Sequence, residues 1–263
     1  MSPFRCNIGG MPRLSVNLNK IALLRNARRT GVPDVLHFGR IAHDAGADGL
    51  TLHPRPDERH IRRADVFAVA ELMRPWRPGF ELNIEGYPDR RLLDLVQAVA
   101  PEQCTLVPDA PGVLTSEEGW ELGPDQGRLV APAIAALKEE GTRVILFVEP
   151  DAAIVDRVRE AGADGIEIYT GGYAAAFRAG NPQAVLQACA AAAARAAELG
   201  MTVNIGHDLN CDNLPPLVAA LPAVAEASIG HELTADALVI GFAAAVRAYK
   251  AALSGRPAPI VER

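Results

Sequence analysis

The fold is decided by residues 45–60, Ala-Gly-Ala-Asp-Gly-Leu-Thr-Leu-His-Pro-Arg-Pro-Asp-Glu-Arg-His. The first five residues are typical of a helix end and a tight turn, because glycine readily adopts the left-handed backbone conformation. The apolar run 49–53 predicts a short buried strand, and a polar, cation-rich loop follows it. Polar side chains at the carboxyl end of an apolar strand are the arrangement with which parallel barrels build anion-binding active sites.

The same order of helix end, turn and apolar strand recurs along the chain, and the segment Ala-Gly-Ala-Asp-Gly itself is repeated at 161–165. Strands are predicted at 14–19, 49–53, 81–85, 103–108, 143–149, 165–170, 202–207 and 227–231. Helices are predicted at 34–45, 64–73, 89–98, 128–140, 151–161, 183–199 and 234–253. Strands that alternate with helices imply a parallel sheet, and eight such units imply a single-domain (β/α)8 TIM barrel.

An open, doubly wound sheet is the alternative fold, and it fits less well because no G-x-G-x-x-G fingerprint follows the first strand. We expect residues 13–254 to form the barrel, with a flexible N-terminal extension at 1–12 and a C-terminal tail at 255–263. The long, polar segment 109–127 is a candidate functional or mobile loop.

The composition describes an ordinary globular protein, with 49% hydrophobic and 22% charged residues among 263. A net charge of −6 argues against general binding of nucleic acid or anionic membranes, so a phosphate site has to be a local basic cluster. No apolar run reaches the roughly 18 residues of a spanning helix, and the N-terminus lacks a signal-peptide core. The four cysteines are scattered, as in reduced thiols, so we expect a cytoplasmic protein.

Three of the six histidines fall at predicted carboxyl ends of strands: His53, His207 and His231. His60 lies in the loop beyond the second strand, whereas His37 and His43 read as ordinary helix residues. A single histidine at a strand end is usually structural. Three of them facing one mouth of a barrel indicate a site.

Glu85 and Glu167 end or nearly end two further strands. A carboxylate on an apolar strand is costly to bury unless it is paired or used. An ion pair with Arg55 is the structural alternative for Glu85. Together, His53, Glu85 and His207 offer two bases and an acid around one cavity, which suits proton-transfer chemistry at a carbonyl compound.

The seventh and eighth strands end in Gly206-His207 and Gly230-His231, where barrels commonly bind phosphate through backbone N–H groups. Nearby guanidinium candidates for phosphate or carboxylate are Arg25, Arg28, Arg55 and Arg59, of which Arg28 and Arg55 are favoured. A metal site is the rival reading, but metal-dependent hydrolase barrels place His-x-His where this chain has Asn17-Leu-Asn19. We therefore expect no metal.

At this level of detail the chain resembles the pyridoxine 5′-phosphate synthase family of vitamin B6 biosynthesis, from about Leu14 to Leu253. The resemblance is carried by seven ordered motifs: 16–28, 45–60, 83–85, 106–108 with 114–117, 166–171, 203–207 and 228–231. It implies a (β/α)8 barrel that assembles into homo-octamers and uses neither metal nor organic cofactor. The implied reaction condenses 3-amino-2-oxopropyl phosphate with 1-deoxy-D-xylulose 5-phosphate to pyridoxine 5′-phosphate, phosphate and water.

The resemblance also implies residue roles. His53 and Glu85 would accept protons, and His207 would donate one. The amino-ketone phosphate would contact Asn17, Arg28, Gly230 and His231. The deoxyxylulose phosphate would contact Arg55, His60 and Thr115.

Four departures from the family pattern involve five positions. Asn19-Lys20 replaces Asp-His at a deoxyxylulose-phosphate contact, where lysine can still donate to a hydroxyl or phosphate group. Tyr169 stands where histidine is frequent. Asp208 follows His207 where glycine is usual, and Glu232 follows His231, so both place a carboxylate beside the expected phosphate site. Asn19, Lys20 and Asp208 therefore remain candidate substrate contacts.

Two other functions stay open. A divergent relative would use the same acid–base trio on another phosphorylated or carboxylated carbonyl substrate. The second open function is a barrel that binds a metabolite without catalysing a reaction. A scaffold role is disfavoured, because scaffolds need no polar groups at strand ends. Every version predicts small phosphorylated or acidic molecules as partners rather than nucleic acid or membrane.

Overall fold

The computed structural model describes residues 10–109, 118–221 and 223–256. Its strands are β1 Arg13–Asn17, β2 Gly49–Leu52, β3 Glu81–Gly86, β4 Gln103–Leu106, β5 Arg143–Val148, β6 Gly165–Tyr169, β7 Thr202–Gly206 and β8 Val224–Ile229. They pair in parallel, each with the next, and β8 closes against β1. The predicted (β/α)8 barrel is confirmed, and the alternative of an open sheet is wrong.

Eleven helices surround the barrel within the described ranges. They are α1 Asn19–Asn26, α2 Val35–Asp44, α3 Arg63–Met73, α4 Arg90–Val99, α5 Pro124–Glu139, α6 Ala152–Glu160, α7 Gly171–Arg178, α8 Gln183–Glu198, α9 Leu214–Ala220, α10 His231–Ile240 and α11 Phe242–Leu253. The first six predicted helices are confirmed. The seventh, 234–253, is wrong as a single helix, because Gly241 takes a φ of 83° and divides it into α10 and α11.

Three helices, α1, α7 and α9, are absent from the sequence predictions, and their sequences explain why. Helix α7 opens with two glycines, which have low helix propensity. Helix α9 carries two prolines in its first turn. The missing N–H groups cost nothing there, but two adjacent prolines in a sequence usually indicate the end of a helix. Helix α1 begins almost directly after β1, and its apolar residues are followed by basic residues at its C-terminal end.

The repeated Ala-Gly-Ala-Asp-Gly segments connect a helix to a strand in the same way twice. Gly46 and Gly162 have φ values of 93° and 91°, which the left-handed turn requires. Gly49 and Gly165 open the following strands, and a Cβ on either would lie 2.5 Å from a carbonyl oxygen of the next strand. Close strand pairing at these two points therefore needs glycine.

The aspartate of each repeat ties the turn to the preceding strand of the barrel. The Asp48 carboxylate accepts a hydrogen bond from the N–H of Leu14 at 2.7 Å. The Asp164 carboxylate accepts one from the N–H of Val144 at 2.9 Å. Each repeat thus satisfies a backbone donor at a strand start, and this fixes how β2 and β6 lie against their neighbours.

The apolar core lies between the strands and the helices, whereas the inside of the barrel is largely polar. Hydrogen bonds cross the interior from Thr51 to Ser15 at 2.6 Å and to Ser228 at 3.2 Å. Nearer the amino ends of the strands, Glu81 forms ion pairs with Arg13 and Arg143. Buried polar groups of this kind need partners, and these contacts supply them.

The barrel begins with β1 at Arg13 and ends with α11 at Leu253. The division into 1–12, 13–254 and 255–263 stays a prediction, since most of the two flanking segments lies outside the described residues. Residues 110–117 also lie outside them, so a mobile loop at 109–127 stays a prediction too. Within 10–109, 118–221 and 223–256, no helix is long and apolar enough to cross a membrane.

Candidate active site

A cavity of about 530 Å³ opens at the carboxyl ends of the barrel strands. Eleven of the thirteen predicted site residues line it: Asn17, Asn19, Lys20, His53, Arg55, His60, Glu85, His207, Asp208, Gly230 and His231. The parallel barrel brings them together, because every strand delivers its last residues to the same mouth.

His53 and Glu85 form the closest pair of titratable groups at the cavity floor. Nδ1 of His53 lies 3.8 Å from Oε2 of Glu85, and the two residues are 5% and 6% exposed. Asn17 donates a hydrogen bond to the same carboxylate oxygen at 3.3 Å. Asn19 accepts one from the His53 backbone N–H at 3.0 Å. The two asparagines that replace a metal-binding His-x-His thus hold the acid–base pair in place.

Burial sets the protonation of this pair. Burial, followed by the negative charge of the nearby Asp109 carboxylate, raises the pKa of Glu85 to about 8. Burial, followed by the positive charge of Arg55, lowers the pKa of His53 well below its ordinary value. At neutral pH the proton therefore sits on Glu85, and His53 is a neutral imidazole able to accept one.

His207 follows β7 in a left-handed backbone conformation, with φ at 80°. Its ring lies beside Phe147 and Tyr169, with centroids 4.9 and 5.5 Å away. Nδ1 of His207 is buried and has no hydrogen-bond partner within the described chain. Burial lowers the pKa of His207, so this ring is also held neutral.

Arg55 forms a buried ion pair with Asp109, a residue that no sequence argument singled out. Asp109 follows β4 by three residues, so its place at a strand end was the available signal. An ion pair between Arg55 and Glu85 was the structural alternative to a catalytic role for Glu85. The ion pair that Arg55 forms in the structure is with the Asp109 carboxylate. A phosphate that approaches Arg55 has to compete with that carboxylate.

A candidate anion-binding surface lies where α10 begins at the cavity. Gly230 is the residue before its first turn, and His231 is its first residue. Unpaired N–H groups and the helix dipole favour anions there. A Cβ on Gly230 would lie 3.0 Å from Cβ of Asn17, so glycine permits this close approach to the cavity floor.

Lys20 and His60 lie on the rim between these two surfaces. The Ile61 backbone N–H donates to Nδ1 of His60 at 2.9 Å, which leaves Nε2 for a ligand. Burial, then the charges of Arg55 and Lys20, lower the pKa of His60 to about 4. A neutral His60 beside two fixed cations can donate a hydrogen bond to a phosphate or a hydroxyl oxygen.

The two carboxylates that depart from the family pattern also face the cavity. Asp208 and Glu232 both line it, near the amino end of α10. Asp208 has a φ of 55°, and its backbone oxygen accepts a hydrogen bond from Asn213 at 3.1 Å. Both acids thus line the same cavity as Gly230 and His231, and their closeness to a phosphate site stays a prediction.

Glu167 is a second buried carboxyl at the cavity, beside Glu85, and its position near a strand end gave no prediction of its role. It is 1% exposed, and its Oε2 has no hydrogen-bond partner within the described residues. Burial, then the nearby Glu85 and Glu226 carboxyls, raise the pKa of Glu167 well above its ordinary value. The floor of the cavity therefore carries protonated carboxyls rather than a cluster of charges.

One predicted substrate contact among the described residues, Arg28, is not brought to the cavity. Arg28 follows α1, is exposed and does not line the cavity, whereas Arg25 is buried and pairs with Asp65 at 2.6 Å. Thr115 lies outside the described residues. Within the described ranges, no group of three or more histidine, cysteine or carboxylate side chains could hold a metal ion. Catalysis without metal or cofactor stays a prediction.

Comparison with known proteins gives the geometry a family. A model of the family "Pyridoxal phosphate biosynthesis protein PdxJ" matches residues 14–255. The chain belongs to this family. A pyridoxine 5′-phosphate synthase from Brucella suis is 48% identical over 246 residues, which cover 92% of this chain and 99% of the relative. One from Albidiferax ferrireducens is 47% identical over 242 residues, covering 90% and 95%.

Solved structures with the same fold are much more distant in sequence. Thiamine phosphate pyrophosphorylase from Pyrococcus furiosus superposes with a TM-score of 0.56 at 12% identity, covering 93% of this chain and 96% of that one. The YdjI aldolase from Escherichia coli K12 gives 0.58 at 11% identity, covering 93% and 88%. At such low identity the likeness concerns the barrel alone.

Proposed function

We propose that this chain is a pyridoxine 5′-phosphate synthase, which condenses 3-amino-2-oxopropyl phosphate with 1-deoxy-D-xylulose 5-phosphate. Pyridoxine 5′-phosphate, phosphate and water are the products. Family membership and relatives that carry this name over nearly their whole length support the assignment. The observation that carries it is the convergence of His53, Glu85 and His207 in one cavity between two anion-binding surfaces.

The proposed chemistry needs protons moved at several points. Condensation of an amine with a ketone, dehydration, phosphate loss and aromatisation each require a group that gives or takes a proton. Neutral His53 accepts a proton directly, whereas Glu85 must first lose its own proton. His207 has to gain a proton before it can donate one, and a bound phosphate dianion beside it would favour the imidazolium.

The two anion surfaces suit a reaction between two phosphorylated molecules. Arg55 and His60 on one side would hold the deoxyxylulose phosphate, as would Thr115 by resemblance. The start of α10, with Gly230 and His231, would hold the phosphate of the amino-ketone. Holding both substrates in one small cavity turns their condensation into an effectively intramolecular step.

Assembly into a homo-octamer is part of the proposal and rests on the resemblance. Exposed apolar side chains on α1 and α10 support an interface: Leu23 (44% exposed), Leu24 (54%), Leu238 (79%) and Val239 (67%). Helices α1 and α10 touch each other. Because Arg28 lies outside its own cavity, its implied substrate contact requires rearrangement of the segment after α1 or a neighbouring copy across this surface.

A cytoplasmic location is also proposed. Cys104, Cys189 and Cys211 are free thiols, and the first two are buried. Free thiols in a chain with several cysteines are typical of a reducing compartment.

A divergent relative with another carbonyl substrate is the second candidate, and the carboxylates of Asp208 and Glu232 favour it. Both line the cavity beside the proposed phosphate site at the start of α10. A carboxylate repels a phosphate dianion unless it turns away or pairs with a cation. In this candidate the substrate on that side carries less negative charge.

A turnover assay with purified protein and the two family substrates decides between the candidates. We expect pyridoxine 5′-phosphate and phosphate to appear at equal rates, to persist with chelator present and to disappear in Glu85→Gln. A folded protein that forms neither product with these substrates would contradict the proposed reaction. The search would then move to other ketone and aldehyde phosphates.

A further inference from the structure

Three aromatic rings meet where β5, β6 and β7 end. The His207 imidazole lies 4.9 Å from the Phe147 ring and 5.5 Å from the Tyr169 ring, centroid to centroid. Phe147 and Tyr169 also contact each other, at 5.6 Å. His207 meets Tyr169 nearly edge-on, with 75° between the ring planes. Edge-to-face contacts of this kind are favourable and fix the relative orientation of rings.

Packing matters here because the usual orienting hydrogen bond is missing. Histidines that move protons are commonly held by a hydrogen bond to the ring nitrogen that does not react. In His207, Nδ1 is buried and has no such partner within the described residues. The neighbouring rings are therefore what holds the imidazole plane.

The backbone around the ring is held by the residue after Tyr169. The Thr170 hydroxyl lies 2.5 Å from the carbonyl oxygen of Gly206 and 2.6 Å from that of His207. His207 itself has a φ of 80°, a left-handed conformation that is unfavourable for a residue with a side chain. Tyr169 and Thr170 thus hold the ring and the strained backbone of the same residue.

The position of Tyr169 is constrained in turn by the start of α7. A Cβ built on Gly171 would lie 2.2 Å from the Tyr169 hydroxyl oxygen, so the phenol packs directly on that glycine. The ring cannot swing toward α7 without displacing the helix. Its edge is consequently kept against His207.

We propose that Tyr169 is a positioning residue for His207, which with Phe147 holds the imidazole where it can exchange a proton with a bound substrate. This inference rests on the proposed function, in which His207 is the proton donor. It assigns no chemistry to the phenol itself. The ring, rather than the hydroxyl group, carries the role.

The charges that face His207 come from several elements. Asp208 and Asp109 raise the pKa of His207, and Lys20 lowers it, while burial remains the largest cause of the net lowering. His53 also interacts with His207 across the cavity. A substitution at Tyr169 leaves Asp208, Asp109 and Lys20 in place, so it should change the burial and the order of His207 rather than its charged neighbours.

The test compares Tyr169→Phe, Tyr169→Leu and Tyr169→Ala in the full chain by two readouts. The first is the NMR titration of His207, assigned with His207→Gln, which needs no turnover. The second is kcat and KM with the two family substrates. Tyr87→Leu is the matched control, because Tyr87 stacks on Trp120 at 6.1 Å and does not line the cavity.

We expect Tyr169→Phe and Tyr87→Leu to keep the titration and kcat of the parent chain. Tyr169→Leu and Tyr169→Ala should move the pKa of His207 up toward its ordinary value and lower kcat at least tenfold, with KM changed less. If Tyr169→Ala does not fold, Tyr169→Leu, which retains most of the volume, carries the test.

Two results would overturn the inference. One is an unchanged His207 titration in Tyr169→Leu. The other is a loss in Tyr169→Phe as large as in Tyr169→Leu, since that would assign the role to the hydroxyl. A parent chain that turns over neither family substrate, while the His207 titration still responds to Tyr169→Leu, would contradict the proposed function and support the positioning.

Discussion

Oε2 of Glu85 lies 3.8 Å from Nδ1 of His53, with both groups almost sealed from solvent. Burial moves their pKa values in opposite senses, up to about 8 for Glu85 and well down for His53. The cavity therefore places a neutral acid next to a neutral base. Glu85 is protonated at neutral pH, so it can accept a proton from the substrate only after it has released the proton that it carries.

The first prediction concerns the pH dependence of catalysis. If Glu85 acts as a base in the free enzyme, only roughly a tenth of it is ionised one pH unit below its pKa. We expect kcat/KM to rise about tenfold per pH unit below about pH 8 and to level off above it. Steady-state kinetics from pH 6 to pH 9.5 measure this limb.

Two variants control that measurement. Glu85→Gln should abolish turnover across the range, whereas Glu160→Gln, at an exposed position of α6, should reproduce the parent profile. A parent profile that is flat from pH 6 to pH 8 would show that Glu85 is ionised throughout, or that its protonation does not limit the reaction.

The second prediction concerns the Arg55–Asp109 ion pair. Asp109→Asn removes the carboxylate that competes with phosphate for Arg55, so inorganic phosphate should bind on the order of tenfold more tightly. Loss of this buried ion pair should also lower the melting temperature, and saturating phosphate should restore it. Calorimetric titration and thermal melts with and without phosphate measure both effects.

The same substitution should act on Glu85. The Asp109 carboxylate raises the pKa of Glu85, so its removal should shift the acidic limb of kcat/KM to lower pH. Asp57→Asn is the matched control, since it breaks an Asp–Arg pair with Arg59 that is far more exposed. Equal gains in phosphate affinity from both variants would mean that the effect is one of general charge.

The third prediction compares two buried glutamates inside the barrel. Glu226 is 4% exposed, and burial, with the nearby Glu81 carboxylate next, raises its pKa from 4.5 to about 7. Between these two values the folded state binds more protons than the unfolded state, so stability falls as pH rises. Glu226→Gln should remove that loss, and it should raise the unfolding free energy above pH 7 by on the order of 3 kcal/mol.

Urea unfolding at pH 5 and pH 8 tests this, and the gain should shrink toward pH 5. Glu81→Gln is the opposing variant, because Glu81 pairs with Arg13 and Arg143 and the substitution removes both ion pairs. It should destabilise by about 3–5 kcal/mol at pH 8. A Glu226→Gln gain independent of pH would point to packing rather than to protonation.

Local sequence patterns predict the barrel and the centre of the site well, because parallel topology does the assembling. Once eight strands are placed, His53, Glu85 and His207 must converge at one mouth. Local patterns do not predict the course of the chain between elements, nor which of several possible partners a side chain contacts. The position of Arg28 depends on α1, a helix that the sequence does not predict. The ion pair between Asp109 and Arg55 forms between residues far apart in sequence, so only the folded structure reveals it.

The fourth prediction concerns the apolar surface on α1 and α10. Leu238 is 79% exposed, and an apolar side chain so exposed on a helix beside Leu23 and Leu24 favours contact with another copy. Leu238→Glu should therefore reduce the assembly to smaller species in analytical ultracentrifugation, because the buried charge would have no partner. Phe67→Glu, at a 39% exposed site on α3 over Arg63, should leave the assembly intact. A fall in turnover that accompanies dissociation only in Leu238→Glu would tie the cavity to the interface, whereas full activity in the dissociated form would place every substrate contact, including that of Arg28, within one chain.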